Sequence, residues 1–156
     1  LKNRAAFLYA RFCAARFCTA VALVALSAYS MAQAPALIVQ DAWVRQVPGS
    51  DVAAVYLTLR NPGTRPVSVV GVESSVASHA MIHETKTEGG QSRMRPHEEL
   101  LIPPGQTVKL EPGGLHIMLH GVTQPVAVGQ SVPLTLLLAG GGKVPVAARM
   151  RPLNAQ

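Results

Sequence analysis

Two short segments place histidine and methionine side by side on one face of an extended chain. In Leu115-His116-Ile117-Met118-Leu119-His120, side chains of a strand alternate between faces, so Leu115, Ile117 and Leu119 form an apolar side. His116, Met118 and His120 stand together on the other. The segment His79-Ala80-Met81-Ile82-His83 repeats the arrangement, with His79, Met81 and His83 on one face and Ala80 and Ile82 on the other. Four of the five histidines and two of the five methionines fall in these segments. A thioether is apolar and is ordinarily buried. Grouped with imidazoles on a non-core face, it points to a soft metal ion, because thioethers favour Cu(I) while imidazole accepts copper, zinc, nickel and iron.

The same residues also have a plainer reading. Met81 and Met118 can fill a gap between a sheet and a covering loop, and His79 and His120 can be solvated surface side chains. Glu84, Glu88, Glu98 and Glu99 lie nearby in sequence, yet none completes the His-Glu-x-x-His spacing of a zinc hydrolase. Nor is there a visible general base beside an open His-rich site, which argues against an enzyme. A blue-copper electron-transfer site needs a cysteine thiolate. Both cysteines, Cys13 and Cys18, lie in the N-terminal segment described below, so the exported chain has none to offer. A secreted structural sandwich explains the strands but leaves the His/Met spacing to chance.

The wider spacing is more specific. His83 is followed after ten residues by Met94, after twenty-one more by His116, and after one more by Met118. This resembles the His-x10-Met-x21-His-x-Met signature of the periplasmic copper chaperone family PCu(A)C. The stretches His83-Glu84-Thr85, Met94-Arg95-Pro96, Ile102-Pro103-Pro104-Gly105 and Pro112-Gly113-Gly114-Leu115-His116-Ile117-Met118-Leu119 are similar to the family's sequence around its ligands, and the likeness covers 37–150. The resemblance implies that His83, Met94, His116 and Met118 bind Cu(I) in a two-His, two-Met site. It implies a cupredoxin-like antiparallel β-sandwich of Greek-key type, all-β, with copper at one exposed end. It also implies a non-enzymatic carrier supplying the binuclear copper centre of cytochrome c oxidase, alone or with a thioredoxin-like copper-assembly partner. Buffering against copper stress is the alternative role.

His79, Met81, His97 and His120 fall outside the four-position signature and are expected to be auxiliary ligands at most. His120 stands where relatives often carry another methionine. The chain ends Arg149-Met150-Arg151-Pro152-Leu153-Asn154-Ala155-Gln156, without the His/Met-rich extension of some relatives. Neutral imidazoles and thioethers leave the cation's charge uncompensated, which suits transfer better than trapping. Because metal binding needs neutral imidazole, affinity is expected to fall as pH drops through about 6.5.

The elements that must position these side chains are strands. From Ala36 onward, runs rich in Val, Leu, Ile and Thr alternate with Pro/Gly punctuation such as Pro48-Gly49, Asn61-Pro62-Gly63, Gly89-Gly90 and Gly140-Gly141-Gly142. Strands are predicted near 37–46, 52–60, 66–73, 79–86, 92–96, 99–102, 106–111, 115–120, 132–139 and 143–150. Met94 falls after Gly89-Gly90, in a hairpin or loop. No apolar stripe of helical period runs for ten residues in this region. Trp43 and Tyr56 read as core or rim aromatics, and Asn61-Pro62-Gly63-Thr64 as a turn.

Charge and composition fit one exported domain. The chain has 156 residues, 49% of them hydrophobic, and a net charge of +6. Lys2, Arg4, Arg11 and Arg16 supply four of the cations before any acidic residue occurs. The remaining 10 basic and 8 acidic residues form no basic stripe, which excludes an electrostatic footprint for nucleic acid. A 14-residue uncharged run at 17–30 and the small residues of Ser30-Met31-Ala32-Gln33-Ala34 complete the layout of a secretory signal peptide at 1–34, cleaved after Ala32 or Ala34. Phe12 and Phe17 precede the two cysteines, which argues against a lipobox and a lipid anchor. Residues 35–156 are expected to form the mature domain in the periplasm, with the membrane involved only during export. A cysteine-free site suits an oxidising compartment.

Overall fold

In the computed structural model of the protein, residues 37–154 are described. The signal-peptide and cleavage-site expectations lie outside them. Ten strands and no helix occur among the described residues. They are β1 (Ile38–Gln46), β2 (Val52–Arg60), β3 (Val67–Glu73), β4 (Ala77–Glu88), β5 (Gln91–Pro96), β6 (Leu100–Ile102), β7 (Thr107–Leu110), β8 (Leu115–Val122), β9 (Ser131–Leu138) and β10 (Lys143–Met150). Every strand expected from the sequence is present, and the Pro/Gly clusters fall between them.

The strands hydrogen-bond in the order β5-β4-β8-β2-β1-β10-β9-β3-β6, with β7 also pairing β2. Neighbours distant in sequence, such as β4 with β8 and β1 with β10, require the long crossovers of a Greek-key sandwich. All pairings are antiparallel but one: β1 and β10 run parallel, with Trp43 opposite Arg149 and Val44 opposite Met150. The β1–β2 register shifts between Gln40 and Trp43, where Asp41 adopts φ 51°.

The alternation seen in sequence translates directly into burial. Val55, Leu57 and Leu59 of β2, Ile117 and Leu119 of β8, and Val132, Leu134, Leu136 and Leu138 of β9 all enter one hydrophobic core. Leu137 is half-buried on the reverse face of β9, packed toward Gly71. Along β2, β8 and then β7 lie on the same side in register: Val55 faces Ile117 and Leu57 faces Leu110. Residues 111–114 between them are pushed out of line as a closed turn, in which Glu111 N–H donates to Leu115 O and Gly114 N–H to Glu111 O. That excursion sets the start of β8, and with it the position of His116.

Candidate metal centre

The candidate site grows from the pairing of β4 with β8. Their register places His83 opposite His116, Met81 opposite Met118 and His79 opposite His120. Directly opposed residues share a face, so all six stand on one side of the sheet. Beneath them Ile82, Ile117 and Leu119 are buried in the core, which fixes which side each donor must take.

His116 is the most enclosed of the donors, at 5% exposure. Its Nδ1 lies 3.0 Å from the carbonyl oxygen of Gly114. A carbonyl only accepts, so Nδ1 carries the proton and Nε2 keeps a free lone pair for a metal. The same carbonyl accepts from Thr85 N–H at 3.1 Å, tying the displaced turn, β4 and the His116 ring to one point. Such a fixed tautomer and ring orientation is what a metal-binding imidazole requires from its surroundings.

The His83 and His116 rings stand 6.0 Å apart, centre to centre, at 79°. With metal–nitrogen bonds of about 2.0 Å, two imidazoles on one ion have ring centres about 5 Å apart at a tetrahedral angle and about 6 Å when nearly opposed, so the pair lies at the wide end of the range that one ion spans. Nδ1 of His83 is buried and has no hydrogen-bond partner. An orphaned nitrogen of this kind is costly unless it meets a ligand. Burial holds the His83 pKa below its usual value, with the neighbouring His116 and His120 charges adding to the effect. All three causes favour the neutral, metal-competent ring.

Met118 is half-buried and lies two residues beyond His116 on the same face, diagonal to His83. Met94 sits in strand β5, opposite Thr85, so it too is diagonal to His83, from the other side and one pair further along. Diagonal neighbours are within reach of long side chains. Met94 is therefore carried by the edge strand of a hairpin. Its turn is Gly89-Gly90 with φ of 60° and 80°, the left-handed pair that a tight hairpin turn needs. At 55% exposure its thioether is open to solvent. His97 lies just past β5: its N–H bonds Ile82 O, and it lines a groove with Val70, Met81, Ile82 and Leu137.

Among the described residues, no three His, Cys, Asp or Glu side chains group closely enough to hold a metal. An ion held by His83 and His116 must therefore complete its shell with sulfur or from outside the chain. Sulfur from Met118 and Met94 makes a neutral, soft set suited to Cu(I) and poorly suited to Mg, Ca or a hydrolytic zinc.

The site also has an aromatic wall that the sequence did not disclose. Tyr56 lies 6.3 Å from His116, and Trp43 stacks on Tyr56 at 4.4 Å. Both rings are buried, and the Arg45 and Arg151 guanidinium groups cover Trp43 at 5.3 and 5.1 Å. Burial raises the Tyr56 pKa against the opposing pull of Arg45, so its hydroxyl stays neutral beside His116. Alternation along β2 puts Tyr56 opposite in face to Val55 and Leu57, a signal that it belongs to the donor side rather than the core.

Comparison with known proteins gives the geometry its context. The family description "Putative lipoprotein LpqE-like" matches residues 37–150. The chain belongs to the PCu(A)C-related LpqE-like family. A relative, "Putative lipoprotein Lxx21020" of Leifsonia xyli subsp. xyli, is 38% identical over 123 residues, which are 78% of this chain and 74% of the relative. The solution structure of the Cu(I) form of DR1885 from Deinococcus radiodurans is 32% identical with a TM-score of 0.63, covering 80% of this chain and 85% of that one. A copper-bound PCuAC domain from PmoF2 also superposes with a TM-score of 0.63, covering 74% and 92%; at 23% identity it speaks to the fold alone. The all-β, cupredoxin-like sandwich is thus the fold of this LpqE-like protein.

Proposed function

We propose that this protein is an exported, non-enzymatic carrier of Cu(I), which holds one ion through His83, Met94, His116 and Met118. The observation that carries the reading is the His83–His116 pair: two rings 6.0 Å apart, one oriented by its Nδ1 bond to a carbonyl, the other with a buried nitrogen lacking a partner. Membership of the LpqE-like family and likeness to a Cu(I)-bound structure support it. The two imidazoles form the enclosed side of the site, and Met94 on its exposed hairpin forms a side open to solvent.

Cargo of this kind suits delivery to the binuclear copper centre of cytochrome c oxidase, directly or through a thioredoxin-like copper-assembly protein. The location is the periplasm, reached by the signal-peptide pattern of 1–34. The relatives' names as lipoproteins agree with export.

Competition with a Cu(I)-specific chelator tests the carrier role: the exported protein takes one equivalent, and Met118→Ala weakens binding by more than about 100-fold. Binding unchanged in Met118→Ala refutes the site. A deletion strain under copper limitation tests the destination. Loss of oxidase activity restored by copper supports delivery, whereas normal oxidase with heightened copper sensitivity supports buffering instead.

A further inference from the structure

The donor face continues past the proposed site. His83↔His116, Met81↔Met118 and His79↔His120 are three successive same-face pairs, and every member is an imidazole or a thioether. Exposure rises along this ladder. His116 is buried, Met118 and His120 are half-buried, Met81 is 44% exposed, and His79 is exposed.

His120 does not simply point to solvent. Its ring centre lies 6.2 Å from that of His83, nearly the 6.0 Å that separates His83 from His116. Yet His120 pairs with His79, four residues from His83 along β4, or about 13 Å of strand. The two rings come that close only by leaning toward each other across the Met81–Met118 pair. His83 therefore has two imidazole partners on β8, one directly opposite and one four residues further along, with the Met81–Met118 pair between them in the register. The three imidazoles do not form a single three-histidine group among the described residues, so His116 and His120 are alternatives rather than joint ligands.

The geometry points to a second Cu(I) station on this face, formed by His83, His120 and Met81 with Met118 shared, through which the ion passes from the buried His83–His116 pair to the exposed end of the ladder. This rests on the Cu(I)-carrier reading given above. The step is a ligand exchange. The bonds from copper to His116 and to the Met94 sulfur break and those to His120 and the Met81 sulfur form, while His83 and the Met118 sulfur stay attached. Copper remains Cu(I), and with neutral rings no proton or electron is moved. The two stations share ligands, so the protein holds one ion at a time.

The test uses protein loaded anaerobically with one equivalent of Cu(I), with bicinchoninate as both competitor and acceptor. His120→Ala is expected to slow transfer to bicinchoninate at least about tenfold. His116→Ala is expected to keep a weaker one-to-one site, and the His116→Ala/His120→Ala double variant to lose at least a further about tenfold in affinity. Transfer at the wild-type rate in His120→Ala, or a double variant no weaker than His116→Ala, overturns the second station while leaving the carrier reading intact. Failure of the wild-type protein to take Cu(I) overturns both. His116 is buried, so circular dichroism checks its variants; if they are unfolded, the His120→Ala transfer rate decides alone.

Discussion

His83 bears the clearest mark of a ligand, because its position in the sheet leaves a buried nitrogen with no protein partner. The same burial lowers its pKa, which moves the expected pH response relative to the sequence reading. A free histidine titrates near 6.5, so the His83 contribution to Cu(I) affinity is expected to hold through that value and to decline only at more acidic pH. The folded protein's stability follows the same sign. A depressed pKa means that the unfolded chain takes up the proton first, so the His83 contribution is complete above about 6.5 and is lost as pH falls below it. Chelator competition and thermal unfolding from pH 7.5 to 5 check both, and a rise in either quantity on acidification contradicts the assignment. Among the other histidines, His97→Ala is expected to leave Cu(I) affinity within about threefold, since His97 lies outside the paired donor positions of β4 and β8.

At the scale of elements, two local devices hold the sheet in register around the donors. Gly121 follows His120 with φ 65°, and a Cβ there comes within 2.6 Å of Ser78 Oγ and 3.0 Å of Ser78 Cβ. Gly121→Ala is expected to destabilise the protein by about 1–2 kcal/mol through strain where β4 and β8 meet. Asn61 is fully buried. Its Nδ2 donates to Arg65 O and Ile102 O, and its Oδ1 accepts from Gly63 N–H. Asn61→Ala strands those groups and is expected to cost about 1–3 kcal/mol, read by denaturant unfolding. The sequence shows Asn61 as a turn residue, but not its tie to β6, because a partner 41 residues away has no local signature. The same distinction holds for the site. Residues two apart share a face in any strand, so the groupings His79/Met81/His83 and His116/Met118/His120 are legible before any fold is known. That β4 pairs with β8, and in a register setting His83 against His116, depends on long crossovers and the displaced 111–114 turn. Likewise, the parallel β1–β10 contact, the Gly114 carbonyl and the lean of His120 toward His83 arise only once distant strands are assembled.

At the scale of the whole molecule, the sandwich carries the donors outside its hydrophobic core, so copper loading and folding are separable. The core residues Val44, Val55, Ile102 and Ile117 are completely enclosed, and the hydrophobic core cluster contains none of the donor residues. The protein is therefore expected to fold without metal and to gain stability in proportion to Cu(I) affinity. The export proposal has its own test. Mass spectrometry of the mature protein is expected to find its first residue at Gln33 or Pro35, with no lipid attached. A lipidated cysteine at the terminus contradicts that, and aligns the chain with its relatives' names instead. Sulfur and nitrogen meeting at one ion are read most directly by X-ray absorption of the Cu(I)-loaded protein. The expected first shell contains both imidazole nitrogen and thioether sulfur, with the sulfur scattering diminished in Met118→Ala. A first shell of nitrogen and oxygen alone contradicts it.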